Sequence, residues 1–512
     1  MTNVRDFGAM GDGMSDDTAA IEHALKDGGD GVIEFPRGEY RVTRTISFDM
    51  SRTGRLSIQG NGGTAKLVMH GAGPLFEFVG HHGGSADPTS FKPEVWQSER
   101  MPTLSQIEIE GKHPEADGVR FIGIMQPTLT GVLIRHVRNA VHITQRCRNV
   151  LISHCHIYHN TGIGIWLDKV NLHQTNIIGS HISYNRLGGI RIEESEIRNL
   201  QITGNDIEYN NYRAFNMPEA ADVATAEIYI DCSKGGTVRE GTIASNTIQA
   251  TYSPNGANIR FIGGASEHSH LTGMWCISGN LIGSQATNVH LTLARGITFE
   301  GNYVYSGHNR NLLAENCQNL VIGANCFGHN PDYKDKELCT GIRLEDCQNC
   351  TLTGLQIQDA QAGEHTVAGV VPIVRKGLIE LVRCRQVMLT GVQVLEGNPF
   401  GLYAEDCSET MLTGCSFLDT REVKRTEASV KWVGAGKSNS IANCRANRSL
   451  QVPGHVQLSQ RHHLPAFYEL WARWAAAPED RAFLAEAAKA SRQLFVDVAD
   501  KNTGLMPNQS PI

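Results

Sequence analysis

The chain carries one short segment three times, as Gly164-Ile-Trp-Leu-Asp-Lys-Val170, Gly189-Ile-Arg-Ile-Glu-Glu-Ser195 and Glu227-Ile-Tyr-Ile-Asp-Cys-Ser233. Each copy alternates apolar and polar residues, which is the pattern of a strand with one buried face. Copies with the same pattern are expected to stack as neighbouring strands, with equivalent residues in one row. The three segments therefore predict a repetitive β-structure.

A second pattern, apolar-x-Gly/Ser/Ala-x-x-apolar, extends this repeat over most of the chain. Several steps between copies are 22–25 residues long, and longer steps indicate inserted loops. The copies occupy residues 129–134, 152–157, 177–182, 202–207, 243–248, 277–282, 299–304, 322–327, 352–357, 389–394 and 412–417, with a degraded copy at 441–446. Short strands at this period predict a β-solenoid of about twelve to fourteen coils.

Polar and sulfur-containing residues recur at fixed positions of the repeat. The fourth position of the pattern holds Asn205, Asn246, Asn280, Asn302 and Asn325. Stacked inward asparagines can hydrogen-bond to one another along the coil. A second column, five residues before each copy, holds Cys147, Cys317, Cys347, Cys384 and Cys407. Buried, free thiols explain this column, and metal or redox chemistry is the alternative.

The N-terminal sequence predicts how the coil begins. Val-Arg-Asp-Phe-Gly-Ala-Met-Gly-Asp-Gly-Met-Ser-Asp-Asp-Thr-Ala-Ala-Ile-Glu-His-Ala-Leu, residues 4–25, places Ser15, Asp16 and Asp17 where they can cap a helix. Residues 32–42 then form a strand, a turn and a strand. This stretch resembles the opening of the pectate-lyase superfamily. The resemblance implies an all-β, right-handed parallel β-helix with an N-terminal capping helix, and a superfamily of lyases, hydrolases, epimerases and phage tailspikes.

Three regions follow from these patterns. We expect an N-terminal cap with the first strands over residues 1–50, the parallel β-helix over 51–450, and a linker with C-terminal α-helices over 451–512. Helices at 466–477 and 478–499 would cover the open end of the coil, where unpaired strand edges invite aggregation. In the alternative, these helices join protomers into a dimer or trimer.

Composition excludes several classes of partner. The net charge is −7 and no long basic run occurs, so nucleic acid is not expected to bind. No stretch reaches transmembrane length, so no membrane contact is expected. The first residues do not form a signal peptide, which predicts a cytoplasmic protein, or a secreted or periplasmic one if a signal has been removed. The 13 cysteines lie mostly at repeat positions, which favours a reducing compartment.

The outward residues of the three quoted segments are the candidate site. Neighbouring coils lie about 4.8 Å apart, so acids one or two coils apart would approach the carboxylate separations of retaining or inverting glycosidases. Flat aromatic faces, arginine clamps and histidine proton carriers flank these acids on the same face. The predicted catalytic residues are Asp168, Glu193 and Asp231, and the predicted substrate-binding residues are Trp166, Arg191, Tyr229, Arg260, His142 and His290. Glu315, Glu345 and Glu405 are interpreted as solvated charges.

These residues predict a carbohydrate-active enzyme that hydrolyses a poly- or oligosaccharide, with an acidic one favoured, through paired carboxylates. The pectin-hydrolase motifs Gly-His-Gly and Arg-Ile-Lys and the alginate-epimerase motif Asp-Pro-His-Glu do not occur in the chain. The alternatives are a polysaccharide lyase or an epimerase, and a non-catalytic glycan-binding spike. No cofactor is expected for hydrolysis, whereas the resemblance implies calcium for a lyase.

Overall fold

A computed structural model describes residues 1–84, 87–211, 224–265, 269–330, 332, 340–359 and 374–458. Its strands wind into a parallel β-helix, and all strand pairs in the described part of the chain are parallel. Each coil contributes a strand to three faces in turn. The first two faces join in one sheet of 30 strands, because long strands continue around the bend between them, and the third face is a separate sheet of 16 strands.

The first face carries the three segments quoted above. Its strands are Ile46–Asp49, Gly73–Val79, Ala116–Met125, Val141–Ser153, Ile163–Ile178, Gly188–Glu193, Ala226–Asp231, Ala257–Ile262, Thr287–Thr292, Arg310–Glu315, Ile342–Glu345, Ile379–Val382, Phe400–Glu405, Ala428–Val433 and Leu450–Gln451. Val141–Ser153 and Ile163–Ile178 bend partway along and also contribute to the second face.

The second face contains the first apolar residue of each six-residue pattern. Its remaining strands are Thr2–Asn3, Val32–Glu34, Ser57–Gln59, Thr103–Ser105, Thr128–Thr130, Glu196–Thr203, Thr237–Ala244, Thr272–Ser278, Arg295–Glu300, Gln318–Ile322, Gln348–Thr353, Arg385–Thr390, Met411–Thr413, Asn439–Ala442 and Val456–Leu458.

The third face contains the last apolar residue of the pattern. Its strands are Asp12–Asp16, Gly38–Val42, Ala65–Met69, Glu108–Gly111, Leu133–Arg135, His156–Tyr158, His181–Ser183, Asp206–Glu208, Thr247–Gln249, Leu281–Gly283, Tyr303–Tyr305, Cys326–Gly328, Gln356–Gln358, Gln393–Leu395, Ser416–Leu418 and Arg445–Ala446. These 16 strands exceed the twelve to fourteen predicted coils, because the earliest coils lack the six-residue pattern.

The bend between the second and third faces explains the glycines of the pattern. Gly179, Gly204 and Gly279 adopt φ values of 60°, 66° and 65°. Glycine accepts this left-handed conformation without the steric cost that a Cβ atom adds. The residue that follows each of these glycines turns inward, which places the asparagine column inside the coil.

The predicted asparagine ladder is confirmed, and every rung connects neighbouring coils. The side-chain amides of Asn205, Asn246, Asn280 and Asn302 each donate to the next Oδ1 at 3.0, 3.0, 2.9 and 3.0 Å, ending on Asn325. The cysteine column is also inward and buried, and each described thiol is free. Burial raises the pKa of the Cys147 thiol to about 12, which keeps it protonated.

A second, unpredicted ladder runs along the bend between the third and first faces. Asn160 donates to Asn185 at 2.8 Å, and Asn185 donates to Asn210 at 2.7 Å. The ladder ends on Glu227, whose carboxyl group accepts from the backbone and side-chain amides of Asn210. Glu227 is fully buried, and burial raises its pKa well above the ordinary value.

The N-terminal helix forms as predicted over Thr18–Asp27, and Ile21 and Ala24 join the continuous core. Its capping differs in detail. Asp16 accepts the hydrogen bond from the Thr18 amide at 3.1 Å, whereas Asp17 is buried and binds the amide of Met10 at 2.6 Å. Asp17 therefore anchors the preceding loop.

The other helices are short, and they span Val4–Phe7, Met50–Thr53, Pro88–Ser90 and Val95–Glu99. None of the helices in the described ranges is long and apolar enough to cross a membrane. The predicted C-terminal helices lie outside the described residues. The region boundaries at residues 50 and 450 remain predictions.

Candidate active site

The structure places all nine predicted site residues on the outward side of the first face. Parallel pairing aligns one row in the order His142, Trp166, Arg191, Tyr229, Arg260 and His290, one residue per coil. The same register aligns Asp168, Glu193 and Asp231 in the adjacent row. The stacking of the three quoted segments is therefore confirmed residue by residue, whereas their catalytic roles remain predictions.

Each of the three predicted catalytic carboxylates is held by donors from the neighbouring row. Glu193 accepts from Trp166 Nε1 at 3.2 Å and from Arg191 Nη2 at 2.8 Å. Asp231 accepts from the Tyr229 hydroxyl at 3.0 Å. The acids therefore form part of a hydrogen-bonded lattice that orients the residues beside them.

Asp168 is held more loosely by the first residue of the row. The Nε2 atom of His142 lies 3.4 Å from its Oδ2 atom. Burial lowers the pKa of His142, although the carboxylate of Asp168 acts in the opposite direction. His142 is therefore neutral at neutral pH.

The aromatic side chains of the row are partly covered. The ring of His142 stacks on Trp166 with centroids 4.5 Å apart and an interplanar angle of 15°. The guanidinium of Arg191 lies 4.5 Å from the ring centre of Tyr229. The expectation that both rings offer open flat faces to sugars needs correction, because stacking along the coil covers one face of each.

Arg260 differs from Arg191 in its partners. Its Nη1 atom donates to the His290 carbonyl at 3.2 Å and to Thr292 Oγ1 at 2.8 Å, and burial lowers the pKa of its guanidinium. Within the described part of the chain no carboxylate pairs with Arg260, and its Nε and Nη2 atoms make no hydrogen bond. This cation is therefore positioned to receive a negatively charged group.

His290 follows Arg260 in the row and is oriented by Glu315. Its Nε2 atom lies 2.7 Å from the Oε2 atom of Glu315. Burial lowers the pKa of His290, and the hydrogen bond from His290 lowers the pKa of Glu315. The interpretation of Glu315 as a solvated charge is therefore wrong, because the coil register brings it against the imidazole ring.

Tyr229 precedes Arg260 in the row and keeps its proton. Burial, reinforced by the nearby Asp231 carboxylate, raises the pKa of Tyr229 to about 12. Tyr229, Arg260 and His290 thus present a proton donor, a cation and a neutral imidazole on three consecutive coils. Sequence reasoning named all three, but it did not identify their separate protonation states.

The calcium that the resemblance implies for a lyase stays a prediction. Among the described residues, no group of three or more His, Cys, Asp or Glu side chains is arranged to hold a metal ion. Asp168, Glu193 and Asp231 each bind a different neighbour. The inserted loops predicted from the longer steps include residues 212–223 and 266–268, which lie outside the described ranges.

Comparison with known families gives a match over the N-terminal part. The family described as rhamnogalacturonase A/epimerase, pectate lyase-like, matches residues 1–238. Short matches to curated proteins also occur. A stretch of 44 residues is 57% identical to mannuronan C5-epimerase AlgE5 of Azotobacter vinelandii, covering 8% of this chain and 4% of that protein. A stretch of 63 residues is 49% identical to alginate lyase 7 of the same organism, covering 12% and 7%.

These curated relatives are therefore matched over only a small part of their length.

Among solved structures, an N-terminal fragment of gene product 12 from bacteriophage Phi29 has 15% identity and a TM-score of 0.50, covering 89% of this chain and 72% of that one. This likeness concerns the fold. Together with the parallel coil, the match over residues 1–238 supports the predicted resemblance to the pectate lyase-like superfamily of right-handed parallel β-helix proteins.

Proposed function

We propose that this chain is an enzyme that removes the proton next to the carboxylate of a uronate in an acidic poly- or oligosaccharide. The observation that carries the proposal is the position of Arg260, a cation without a carboxylate partner in the described residues, between Tyr229 and His290. The family match and the epimerase and lyase relatives support a carbohydrate substrate.

Arg260 would bind the uronate carboxylate. Removal of the adjacent proton places additional negative charge on that carboxylate, and a prearranged cation stabilises the charge as it develops. The Nε and Nη2 atoms can form the two parallel bonds that guanidinium groups make to carboxylates. Because Arg260 is held by backbone and threonine oxygens, it would need little rearrangement on binding.

His290 would accept the proton. Its lowered pKa keeps the imidazole neutral at neutral pH, as a base requires. The bond from Nε2 to Glu315 directs the ring hydrogen to that nitrogen, which leaves Nδ1 with the lone pair. Glu315 then stabilises the imidazolium that forms after the transfer.

Tyr229 would donate a proton from the other side of Arg260. The tyrosine and the histidine are two coils apart, about 9.6 Å between equivalent backbone positions, so a sugar ring can lie between their side chains. Return of a proton to the opposite face of the same carbon inverts it, which is epimerisation. Transfer of the tyrosine proton to the departing glycosidic oxygen, with formation of a carbon–carbon double bond, is elimination.

Hydrolysis by paired carboxylates, which the sequence analysis favoured, is the second candidate. It is favoured by the stacking of Asp168, Glu193 and Asp231 on consecutive strands, where backbone spacings of about 4.8 and 9.6 Å bracket the known carboxylate separations. The two hydrogen bonds that Glu193 accepts suit a charge partner better than a proton donor. We therefore place proton abstraction first.

The test is incubation with alginate, polygalacturonate and neutral glycans in deuterated water. Deuterium incorporation without chain cleavage indicates epimerisation, and ultraviolet absorbance of an unsaturated uronate indicates elimination. New reducing ends without either signal would contradict the proposal and support hydrolysis. Binding without any reaction would support the spike alternative.

Parallel reactions with a chelator test whether calcium is required. The same reactions after deletion of residues 466–512, with the mass in solution measured, test the alternative that the C-terminal helices join protomers.

A further inference from the structure

A row of basic side chains lies on the second face, away from the candidate active site. Parallel pairing aligns Arg148, His173, Arg198 and Arg239 on four consecutive strands. The chain as a whole has a net charge of −7, so this row is a local concentration of positive charge. Such a patch attracts anionic ligands even when the overall charge is negative.

The arginines at the centre of the row are held without carboxylates. Arg198 Nη1 donates to the Thr237 carbonyl and Nη2 to the Thr237 hydroxyl, at 2.9 and 2.7 Å. Arg239 Nη2 donates to the His270 carbonyl at 3.3 Å. Across the ranges that the structure describes, neither guanidinium forms an ion pair with an acid. Both positive charges therefore remain unneutralised.

A groove with a volume of about 490 Å³ runs beside this row over three coils. Its amide side chains are Asn149, Gln174, Asn176, Asn199 and Gln201. Amide groups both donate and accept hydrogen bonds, which matches the hydroxyl and carboxylate groups of a sugar chain. Among the described residues that line the groove none is aromatic, so these residues do not form the stacking platform typical of single-stranded nucleic-acid sites.

The groove arises from a bend repeated at one position of the coil. Asn149, Gln174 and Asn199 adopt φ values of 52°, 62° and 57°. This left-handed conformation is costly for most residues, and asparagine tolerates it better than most. Because the bend recurs on three successive coils, the concave surface follows the axis of the β-helix.

Two polar atoms lack a protein partner in the described structure, one on a residue that lines the groove and one in the basic row beside it. The Nδ1 atom of His173 and the Oδ1 atom of Asn149 are buried and make no hydrogen bond in the described structure. The other ring nitrogen of His173 lies 3.2 Å from Asn199 Nδ2, which connects the basic row to the groove. Buried polar groups normally have a partner, so these atoms indicate a bound water or ligand.

Phe91 and Gly84 contact the arginines at the N-terminal end of the row. The guanidinium of Arg148 lies 4.6 Å from the ring centre of Phe91, and Arg146 donates to the Gly84 carbonyl. Glu240 is the acid that affects His173 electrostatically, but burial and the adjacent Arg148 and Arg198 lower the pKa of this histidine overall.

We propose that this groove is a second binding site for an acidic oligosaccharide, with Arg198 and Arg239 binding its charged groups and the amide row binding its hydroxyls. It lies on a different face from Tyr229, Arg260 and His290. The site would hold the same class of chain that the proposed enzyme acts on, but binding here does not depend on turnover.

The experiment is isothermal titration calorimetry with an oligogalacturonate, carried out on Arg260→Gln to prevent turnover. Adding Arg198→Gln and Arg239→Gln is expected to weaken binding by about tenfold to a hundredfold, since bonds to charged groups are the strong ones. High salt should weaken the parent in the same direction. Arg445→Gln, which removes an exposed charge on the third face, is the matched control and should leave affinity unchanged.

Arg198 also bonds to Thr237, so a second variant avoids the risk of local unfolding. Asn176 and Gln201 are exposed, and replacing both with alanine should weaken binding by about tenfold without changing the melting temperature. Equal affinities of the parent, the arginine variant and the amide variant would overturn the proposal, as would equal binding of a neutral cello-oligosaccharide. An absence of turnover on every uronate polymer would overturn only the proposed reaction.

Discussion

His290 Nε2 lies 2.7 Å from the Oε2 atom of Glu315, which occupies the next coil of the same face. The contact exists because parallel pairing sets Thr292 beside Glu315 and His290 beside Leu313. A glutamate side chain is long enough to reach diagonally across this register to the imidazole. The contact with Glu315 holds Nε2 of His290 and leaves Nδ1 able to accept a proton.

This pair predicts the acid limb of the pH–rate profile. A base works only above its pKa, and the pKa of His290 is lowered from 6.5 by burial, so activity should persist below pH 6.5. Glu315 raises that pKa through its charge and hydrogen bond, so Glu315→Gln should move the limb of kcat/KM to still lower pH. His142→Gln, which alters a similar His–Asp pair, should change the rate without moving the limb. An unchanged limb in Glu315→Gln would exclude His290 as the base.

Arg260 should be the most sensitive cation of the row. Arg260→Gln removes the charge that stabilises the reacting carboxylate, and a loss of about 10²–10³ in kcat/KM is expected. Arg260→Lys should recover part of the loss, because lysine restores the charge without the paired bonds. Steady-state kinetics on the responsive uronate polymer provide the measurement, with Arg445→Gln as control. A full rate in Arg260→Gln would contradict the assignment.

Tyr229 and Asp231 separate the two candidate reactions. If Tyr229 donates the proton, Tyr229→Phe should reduce kcat by about 10²–10⁴, and Asp231→Asn should have the smaller effect. If paired carboxylates hydrolyse the substrate, the order reverses, because Asp231 is then a reacting group. The ratio of the two rates, measured at one pH on the same substrate, distinguishes these outcomes.

The asparagine ladder should carry substantial stability. Asn280 donates to the Ile243 carbonyl at 3.0 Å and to Asn302 at 2.9 Å, and it accepts from Asn246. Asn280→Ala leaves these buried groups unpaired, which should reduce the free energy of unfolding by about 3 kcal/mol. Asn176→Ala, on the exposed surface, is the matched control for urea denaturation. Similar midpoints for the two variants would show that the ladder contributes little.

Glu227 predicts how stability depends on pH. Its pKa is raised well above 4.5 in the folded chain, so the folded state binds the proton more tightly than the unfolded state. Stability is therefore greatest at low pH for this group and falls as pH rises above 4.5 toward the folded pKa. Glu227→Gln keeps an oxygen for Asn210 and removes the ionisation. It should flatten this decline and raise the melting temperature at alkaline pH, with little effect near pH 5.

The sequence was sufficient for the stacking order because the repeat has few permitted registers. The alternation in residues 164–170 and 189–195 specifies the inward side, and a slip of one residue would bury Asp168 and Glu193. The row from His142 to His290 follows from the same constraint. The loops could not be predicted in this way, because insertions interrupt the period.

The ion pairs and protonation states of the site could be identified only from the folded structure. Arg191 and Arg260 are equivalent in the repeat, yet only Arg191 has a carboxylate partner among the described residues. The difference arises two residues further along each strand. Glu193 follows Arg191 at that position, whereas Ile262 follows Arg260 there. The sequence shows this difference between Ile262 and Glu193. It does not show that Glu315 contacts His290, because that contact runs diagonally between coils.

The second asparagine ladder could also have been predicted from the spacing of its residues in the sequence. Asn160, Asn185 and Asn210 are spaced by 25 residues, the same step as the neighbouring strands. Glu227 breaks the series, so only the folded chain shows that a carboxyl group completes it.

The coil also sets the spacing between site residues in fixed steps. Each residue of the row from His142 to His290 is displaced from the next by one strand spacing, about 4.8 Å, and no smaller step along the axis is available to the backbone. Duplication or loss of a whole coil between Tyr229 and His290 would change their separation by this increment while preserving both ladders' hydrogen-bond geometry. A protein built in this way can adapt to a new spacing of substrate groups by copying a segment of its own gene, without redesigning its core.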